Sequence, residues 1–258
     1  MAALIGLASV LAAGTFAWGL SLRLNDASVA DVCWGLGFVL LAWLDCLLSP
    51  TLTPRSWLVA LLVTLWGARL STHIFRRNHG KGEDPRYRAM RASHAENFWW
   101  RSLFTVFWLQ CAIVWFVALP LLAAVRAARP VAFTGLDGFG CLVFAVGFGF
   151  EVVGDRQLRR FRADPSNRGQ VLESGLWRYT RHPNYFGDAT LWWGLYAIAA
   201  ATPGGWLTLL SPALMTFLLM RVSGVTLLEQ SLTASKPGYR EYIARTPAFF
   251  PWFPRADA

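Results

Sequence analysis

Two segments of this chain put chemically competent residues close together. The first reads Arg76-Arg77-Asn78-His79-Gly80-Lys81-Gly82-Glu83-Asp84-Pro85-Arg86-Tyr87. A solvated basic loop accounts for its charge, but not for its mixture of Gly, Asp, Tyr and His. The second runs from Asp155 to Asp188 and contains Gly175-Leu176-Trp177-Arg178-Tyr179-Thr180-Arg181-His182-Pro183-Asn184-Tyr185-Phe186-Gly187. Pro183 suits the first turn of a helix. Arg181, His182 and Asn184 then gather at a helix N-terminus, where free N–H groups and a partial positive charge favour an anion. A phosphate or carboxylate is the ligand expected there, and a plain capped helix start is the alternative. The chain has no GxGxxG and no Walker A loop, so any nucleotide must be held by helices and their loops.

Four further charged residues stand inside otherwise apolar runs: Asp31, Arg69, Glu151 and Asp155. A charge within a membrane helix costs a few kcal/mol and needs a partner or a wet cavity. Interhelical pairing, for example Asp31 with Arg69, is one solution. A polar cavity open to one side of the membrane is the other. Asp31 near the start of its segment and Arg69, Glu151 and Asp155 near the ends of theirs all fall in the same half of the membrane, which favours one shared site.

The elements that must carry these groups follow from composition. The chain has 258 residues, 55% apolar and only 15% charged, with 14 Trp and 18 Phe, and its mean hydropathy is +0.39. That excludes a disordered chain and a small disulfide scaffold, and argues against a soluble nucleic-acid-binding module. A membrane helix needs roughly 20 mostly apolar residues. Residues 1–22, 29–48, 56–75, 102–125 and 136–161 qualify, and 189–220 is cut by Pro203-Gly204-Gly205 into two helices, the second continuing to about Leu228. The expected fold is therefore all-α, a polytopic membrane protein with seven transmembrane helices. The first segment lacks a basic flank and reads as a retained helix, not a signal peptide.

With seven helices, 19 Lys or Arg fall on one side and Arg55, Arg126 and Arg129 on the other. The positive-inside rule then puts the N-terminus outside and the C-terminus in the cytoplasm. The net charge of +9 is thus a property of the loops, and no nucleic-acid partner is expected. Cys33, Cys46, Cys111 and Cys141 all lie in apolar segments without a CxxC; they read as small buried hydrophobes, with no metal site.

From about residue 149 to 254 the chain resembles the C-terminal domain of membrane steroid 5α-reductases. The residues that carry the likeness are Asp155-Arg156-Gln157, Gly175-Leu176-Trp177, the Arg181-to-Gly187 string and Lys236-Pro237-Gly238-Tyr239. Asp31-Val32-Cys33-Trp34-Gly35 and Glu83-Asp84-Pro85-Arg86-Tyr87 look like a bacterial branch of the same family. The string around His182 is also similar to the Arg-His-Pro-x-Tyr-x-Gly of isoprenylcysteine and phospholipid methyltransferases. Those enzymes use S-adenosylmethionine and carry Glu-Glu near the last helix, where this chain has Glu229-Gln230.

The reductase resemblance implies a seven-helix enzyme that uses NADPH. Hydride goes to the β-carbon of a conjugated enone while a side chain polarises the carbonyl oxygen. Asp155 matches the family's cofactor-binding Asp, and Arg162 an arginine seven residues later. Asn184 and Asp188 match its Asn-x-x-Gly-Glu, with Asp for Glu. The family's Tyr-Arg pair falls on Gly169-Gln170, beside Arg168. Its early His-Tyr-x-x-Arg string reads His73-Ile74-Phe75-Arg76-Arg77, so the tyrosine slot holds Ile74. Tyr87 is the candidate replacement, and Asp31 the nearest early acid.

The expected catalytic pair is thus Asp31 and Tyr87. The expected cofactor set is His73, Arg77, Asp84, Arg86, Asp155, Arg162, Arg168, Arg178, Tyr179, Arg181, His182, Asn184, Tyr185, Asp188 and Tyr239. NADPH carries about four negative charges, for which bidentate arginines are natural partners. A tyrosine O–H or a protonated acid in a dry site stabilises the enolate. The expected substrate is lipophilic, such as a Δ4-3-oxo-steroid, and enters from the bilayer. Beyond membrane lipids no obligate protein partner is indicated. Residues 1–130 are expected to serve the substrate and 131–258 the cofactor, as one reductase domain in a bacterial cytoplasmic membrane.

Overall fold

The computed structural model describes residues 1–222 and 224–255, and every regular element among them is helical. Among the described residues six helical segments are long and apolar enough to cross a membrane: Ala2–Leu24, Val29–Leu48, Pro54–Asn78, Phe98–Val117, Gly135–Ala163 and Gly205–Val222. At 1.5 Å per residue the 23 residues of the first span about 35 Å, which exceeds a hydrocarbon core of roughly 30 Å. The chain folds as two compact units, residues 1–134 with 199–211, and 135–198 with 212–258.

The first unit contains α1 (Ala2–Leu24), α2 (Val29–Leu48), α3 (Pro54–Asn78), α4 (Pro85–Ser93), α5 (Phe98–Ser102), a π-helical stretch Leu103–Trp108, α6 (Leu109–Val117) and α7 (Leu119–Arg126). The apolar run at 102–125 predicts one helix. The structure breaks it after Val117, and Pro120 opens α7 at its N1/N2 position, because proline has no N–H for a continuing helix. α3 begins with a reciprocal cap: Thr53 Oγ1 accepts from Ser56 N, and Ser56 Oγ accepts from Thr53 N. The same Ser56 hydroxyl donates to the Val125 carbonyl at 2.7 Å, and Arg55 Nη1 donates to the Pro130 carbonyl at 2.7 Å. α2 and α3 meet backbone to backbone at Gly35 and Gly67, where a Cβ on either would fall within 2.6 Å of the other's carbonyl oxygen. Small residues allow such close approach in membrane bundles. Phe38 and Trp66 fill the adjoining core edge to face, with ring centroids 5.4 Å apart.

The second unit contains α8 (Gly135–Ala163), short 3₁₀ turns at Pro165–Asn167 and Gly175–Arg178, α9 (Pro183–Ala200), most of α10 (Leu210–Phe217), a π-helical stretch Leu218–Val222, α11 (Val225–Ser235) and α12 (Tyr239–Arg245). The segment expected to run on to Leu228 stops at Val222. Gly140, Gly147 and Gly154 lie seven apart on α8 and press against α9 around Gly194, Gly187 and Asn184. A Cβ at Gly147 would sit 2.4 Å from Leu191 N and 2.6 Å from the Gly187 carbonyl oxygen, so no side chain fits. This approach fixes α9, and with it the Arg181-to-Gly187 string, against the acids Glu151 and Asp155 of α8. Gly175 sits at φ +63°, and a Cβ there would strike the Gln157 side chain. Gln157 Oε1 instead accepts from Leu176 N at 3.1 Å.

Candidate functional site

In the first unit, an acid, a phenol and an amide converge. Asp31 lies in the first turn of α2, where the helix dipole favours a carboxylate. α4 is capped by Asp84, whose Oδ1 accepts from Arg86 N at 2.9 Å. The cap presents two consecutive side chains to α2. Arg86 Nη2 reaches Asp31 Oδ2 at 2.6 Å, and Tyr87 Oη donates to Asp31 Oδ1 at 2.6 Å. Gln110 of α6 donates from Nε2 to Tyr87 Oη at 3.1 Å. Tyr87 is only 5% exposed and packs among Ala17, Ala27, Ala30, Phe98, Val106 and Phe107.

The supporting loop is tied down as well. Glu83 accepts from Ala27 N at 2.8 Å and from both Nε and Nη2 of Arg91, and Asp84 N donates to Ser28 Oγ at 2.7 Å. Burial pushes the Glu83 carboxyl up, but the Arg91 and Ala27 hydrogen bonds outweigh it and hold the group below the usual range. The Tyr87 hydroxyl is driven above the ordinary tyrosine range, first by burial and then by the neighbouring Asp31 charge, against the pull of Arg86 and Gln110. Tyr87 therefore keeps its proton and is a hydrogen-bond donor, not a base.

The second unit gathers the Arg181-to-Gly187 string around an acid from another helix. Arg181 is 7% exposed. Its Nε and Nη2 grip the two oxygens of Glu229 at 2.7 and 3.1 Å, and its Nη1 donates to the Ile243 and Thr246 carbonyls. His182 Nε2 lies 3.0 Å from Glu229 Oε1, so that nitrogen carries the hydrogen, and its ring stacks on Tyr185 at 5.5 Å. The buried Nδ1 of His182 has no partner among the described residues. Asn184 Nδ2 donates to Asp155 Oδ1 at 3.1 Å. Burial raises the Glu229 carboxyl, but the hydrogen bonds from His182 and Arg181 outweigh it and hold it below the usual glutamate range.

The C-terminal tail closes over this string: Arg181 N donates to the Pro247 carbonyl, Thr180 Oγ1 to Phe249 O, and Trp252 N to the Tyr179 carbonyl. Tyr239 and Tyr242 are buried behind it, and Tyr242 Oη donates to the Trp177 carbonyl. Burial raises both phenols.

The family described as "Protein of unknown function (DUF1295)" matches residues 17–246. The chain belongs to the DUF1295 family. An uncharacterized protein of Schizosaccharomyces pombe is similar to this chain, 26% identical over 275 residues that cover 96% of this chain and 79% of that protein. No solved structure matches. The residues matched by DUF1295 take in both polar clusters, from Asp31 to Tyr242, and leave out the tail from Pro247 onward.

Set beside the sequence expectations, this DUF1295 protein brings Asp31 and Tyr87 into direct contact. Arg86 and Asp84, expected to hold cofactor, are bound to each other, and Arg86 also reaches Asp31. Arg181, His182 and Asn184 do gather at the start of α9, but carboxylates of the chain itself take their hydrogens. The motif suggests an anion at this helix start, and in the structure Arg181 and His182 meet Glu229 while Asn184 meets Asp155. Arg168, Arg178 and Tyr179 are exposed in the loop between α8 and α9, and Arg162 is exposed at the end of α8. Asp188 and Tyr239 are buried, His73 is half-buried, and exposed Arg77 donates to Asn78 Oδ1 at 3.0 Å.

Two members of these clusters were not foreseen. Gln110 is the single amide in the apolar run 102–125, and Glu229 is the only acid between Asp188 and Glu241. In both cases that isolation was a readable signal.

Proposed function

We propose that this protein is an integral-membrane reductase that uses NADPH to saturate the C=C bond of a lipophilic enone, such as a Δ4-3-oxo-steroid. The observation that carries the reading is the buried Tyr87 hydroxyl, which donates to Asp31 and accepts from Gln110. A carbonyl oxygen gaining negative charge needs such a preorganised donor in a dry place. The Tyr87 O–H turns about its C–O bond from Asp31 to the substrate oxygen. Gln110 keeps donating to the phenol oxygen and eases the charge left there as the proton moves. Arg86 remains on Asp31 and balances the carboxylate that has lost its hydrogen-bond donor.

NADPH supplies the hydride when bound. The donor set of the second unit suits its phosphates: Arg162, Arg168 and Arg178 are exposed within a stretch of 17 residues, and guanidinium forks match phosphate oxygens. Arg181 is assigned a positioning role through Glu229.

A second reading is a membrane methyltransferase that uses S-adenosylmethionine. The contact of Arg181 and His182 with Glu229 favours it, since that class carries both an Arg-His-Pro string and a late glutamate. Fluorescence titration of the detergent-purified protein decides between them. NADPH is expected to bind and S-adenosylmethionine not to; the reverse result hands the function to the methyltransferase.

We further infer that Pro183–Ala200 is a seventh span, which Asp188 and Asn184 make too polar to stand out by hydropathy. The 19-to-3 partition of basic residues then places the C-terminus in the cytoplasm, and the membrane is the cytoplasmic one of a bacterial cell. A C-terminal alkaline phosphatase fusion is expected to be inactive, and an active one overturns this topology.

A further inference from the structure

A cleft of about 670 Å³ opens in the second unit between the end of the Leu218–Val222 stretch, α11, α12 and the tail. Its wall is apolar where Met220, Val225 and Ile243 face it, and Arg221 and Arg240 border it. Glu229 also borders the cleft, but Arg181 and His182 take its oxygens from behind. The carboxylate is thereby neutralised before anything enters, and the two border arginines set the sign of the field. Both are exposed, and no carboxylate lies within ion-pair distance of either among the described residues. Arg240 borders a second, smaller cleft of about 330 Å³ as well, which Glu241 also lines.

We propose that this cleft is a binding site for a phosphate ester carried on an apolar or flat body. A guanidinium pairs with phosphate through two parallel N–H donors, and two such groups beside one recess are a phosphate-recognising arrangement. The apolar wall takes the body of the ligand, a task that inorganic phosphate alone leaves undone. Two sources share this chemistry: the phosphate of a nucleotide and the headgroup of an anionic phospholipid. The proposal stands apart from the reductase reading, because it concerns phosphate capture whichever source supplies it.

The test is native mass spectrometry of the detergent-purified full chain with two probes, adenosine 2′,5′-bisphosphate and a short-chain phosphatidylglycerol. The wild type is expected to retain at least one of them. The double variant R221Q/R240Q should weaken that probe by about tenfold or more, the loss expected for charge-assisted hydrogen bonds. The double Lys variant should recover part of the affinity. Ala234, also on the cleft wall, offers an independent variant: Ala234→Trp fills the space without touching a charge and should displace the same probe, which keeps the test valid if R221Q/R240Q fails to fold. A response of the nucleotide alone supports the site with a nucleotide as its ligand, and a response of the lipid alone supports it with a lipid. If neither probe binds, or if the wild type and the Trp variant bind equally, the proposal is overturned. A wild type that captures phosphatidylglycerol but reduces no enone would remove the reductase reading and leave this one standing.

Discussion

Tyr87→Phe is expected to lower enone reduction about 10²-fold, the usual cost of removing one donor to a developing oxyanion. The substitution keeps the ring among Phe98, Val106 and Phe107 and removes only the hydroxyl. What it takes away is the hydrogen bond to Asp31 and the acceptor for Gln110. Folding should suffer by only about 0.5–1.5 kcal/mol for such a bond, because Arg86 still holds Asp31. The effect should therefore appear in kcat per NADPH-bound enzyme, with the affinity for NADPH unchanged. Asp31→Asn should act in the same direction through orientation of the phenol. The phenol sits above the ordinary tyrosine range because of burial and of Asp31, so the wild-type rate should stay flat through neutral pH as far as Tyr87 is concerned. A purely structural cluster predicts otherwise: both variants would melt earlier, and their folded fractions would turn over at the wild-type rate. A Tyr87→Phe enzyme with normal kcat on an enone that the wild type reduces takes the residue out of the mechanism.

The membrane helices were readable because each is a run of roughly 20 apolar residues. The exceptions are instructive. Residues from 189 onward read as the sixth helix because Asp188 ends the charge-free run, but α9 begins at Pro183 and takes Asn184 and Asp188 into its first turns. Residues 102–125 carry no charge, and the missing N–H of Pro120 explains why they form two helices. Asp31 was readable as a charge in an apolar run, and Tyr87 as the tyrosine of the polar 76–87 segment that could stand in for the family's. Their contact spans 56 positions and depends on the Asp84 cap that aims α4. That is a tertiary fact, and the same holds for Asp31 meeting Arg86. The string around Arg181 was readable in its residue types but not in its partner. Its residue types suit an anion at a helix start, and an anion is what they hold, but it is Glu229, 48 positions further along the chain.

Glu229→Ala should be the most damaging single substitution in the second unit, at about 3–5 kcal/mol, the cost of leaving one member of a buried ion pair uncompensated. The Arg181 side chain is 8% exposed and that of Glu229, at the cleft border, 18%, so water replaces the lost carboxylate only in part. His182 loses its acceptor at the same time. Arg181→Ala alone should cost a similar amount, because its fork also secures the Ile243 and Thr246 carbonyls of α12 and the tail. The double variant Arg181→Met/Glu229→Leu should be more stable than either single one, since an apolar pair fills the space without stranding a charge. Acid titration provides a second readout. The folded-state pKa of Glu229 lies below its ordinary 4.5, so the contribution of the pair is fully present above that value and is lost as pH falls through the lower, folded one. The wild type should thus lose stability in that acid window, and the double variant should lack this component. Thermal unfolding in detergent at neutral and acid pH measures both. Equal melting points for the wild type and Glu229→Ala at neutral pH would show that the Arg181 fork carries no tertiary load.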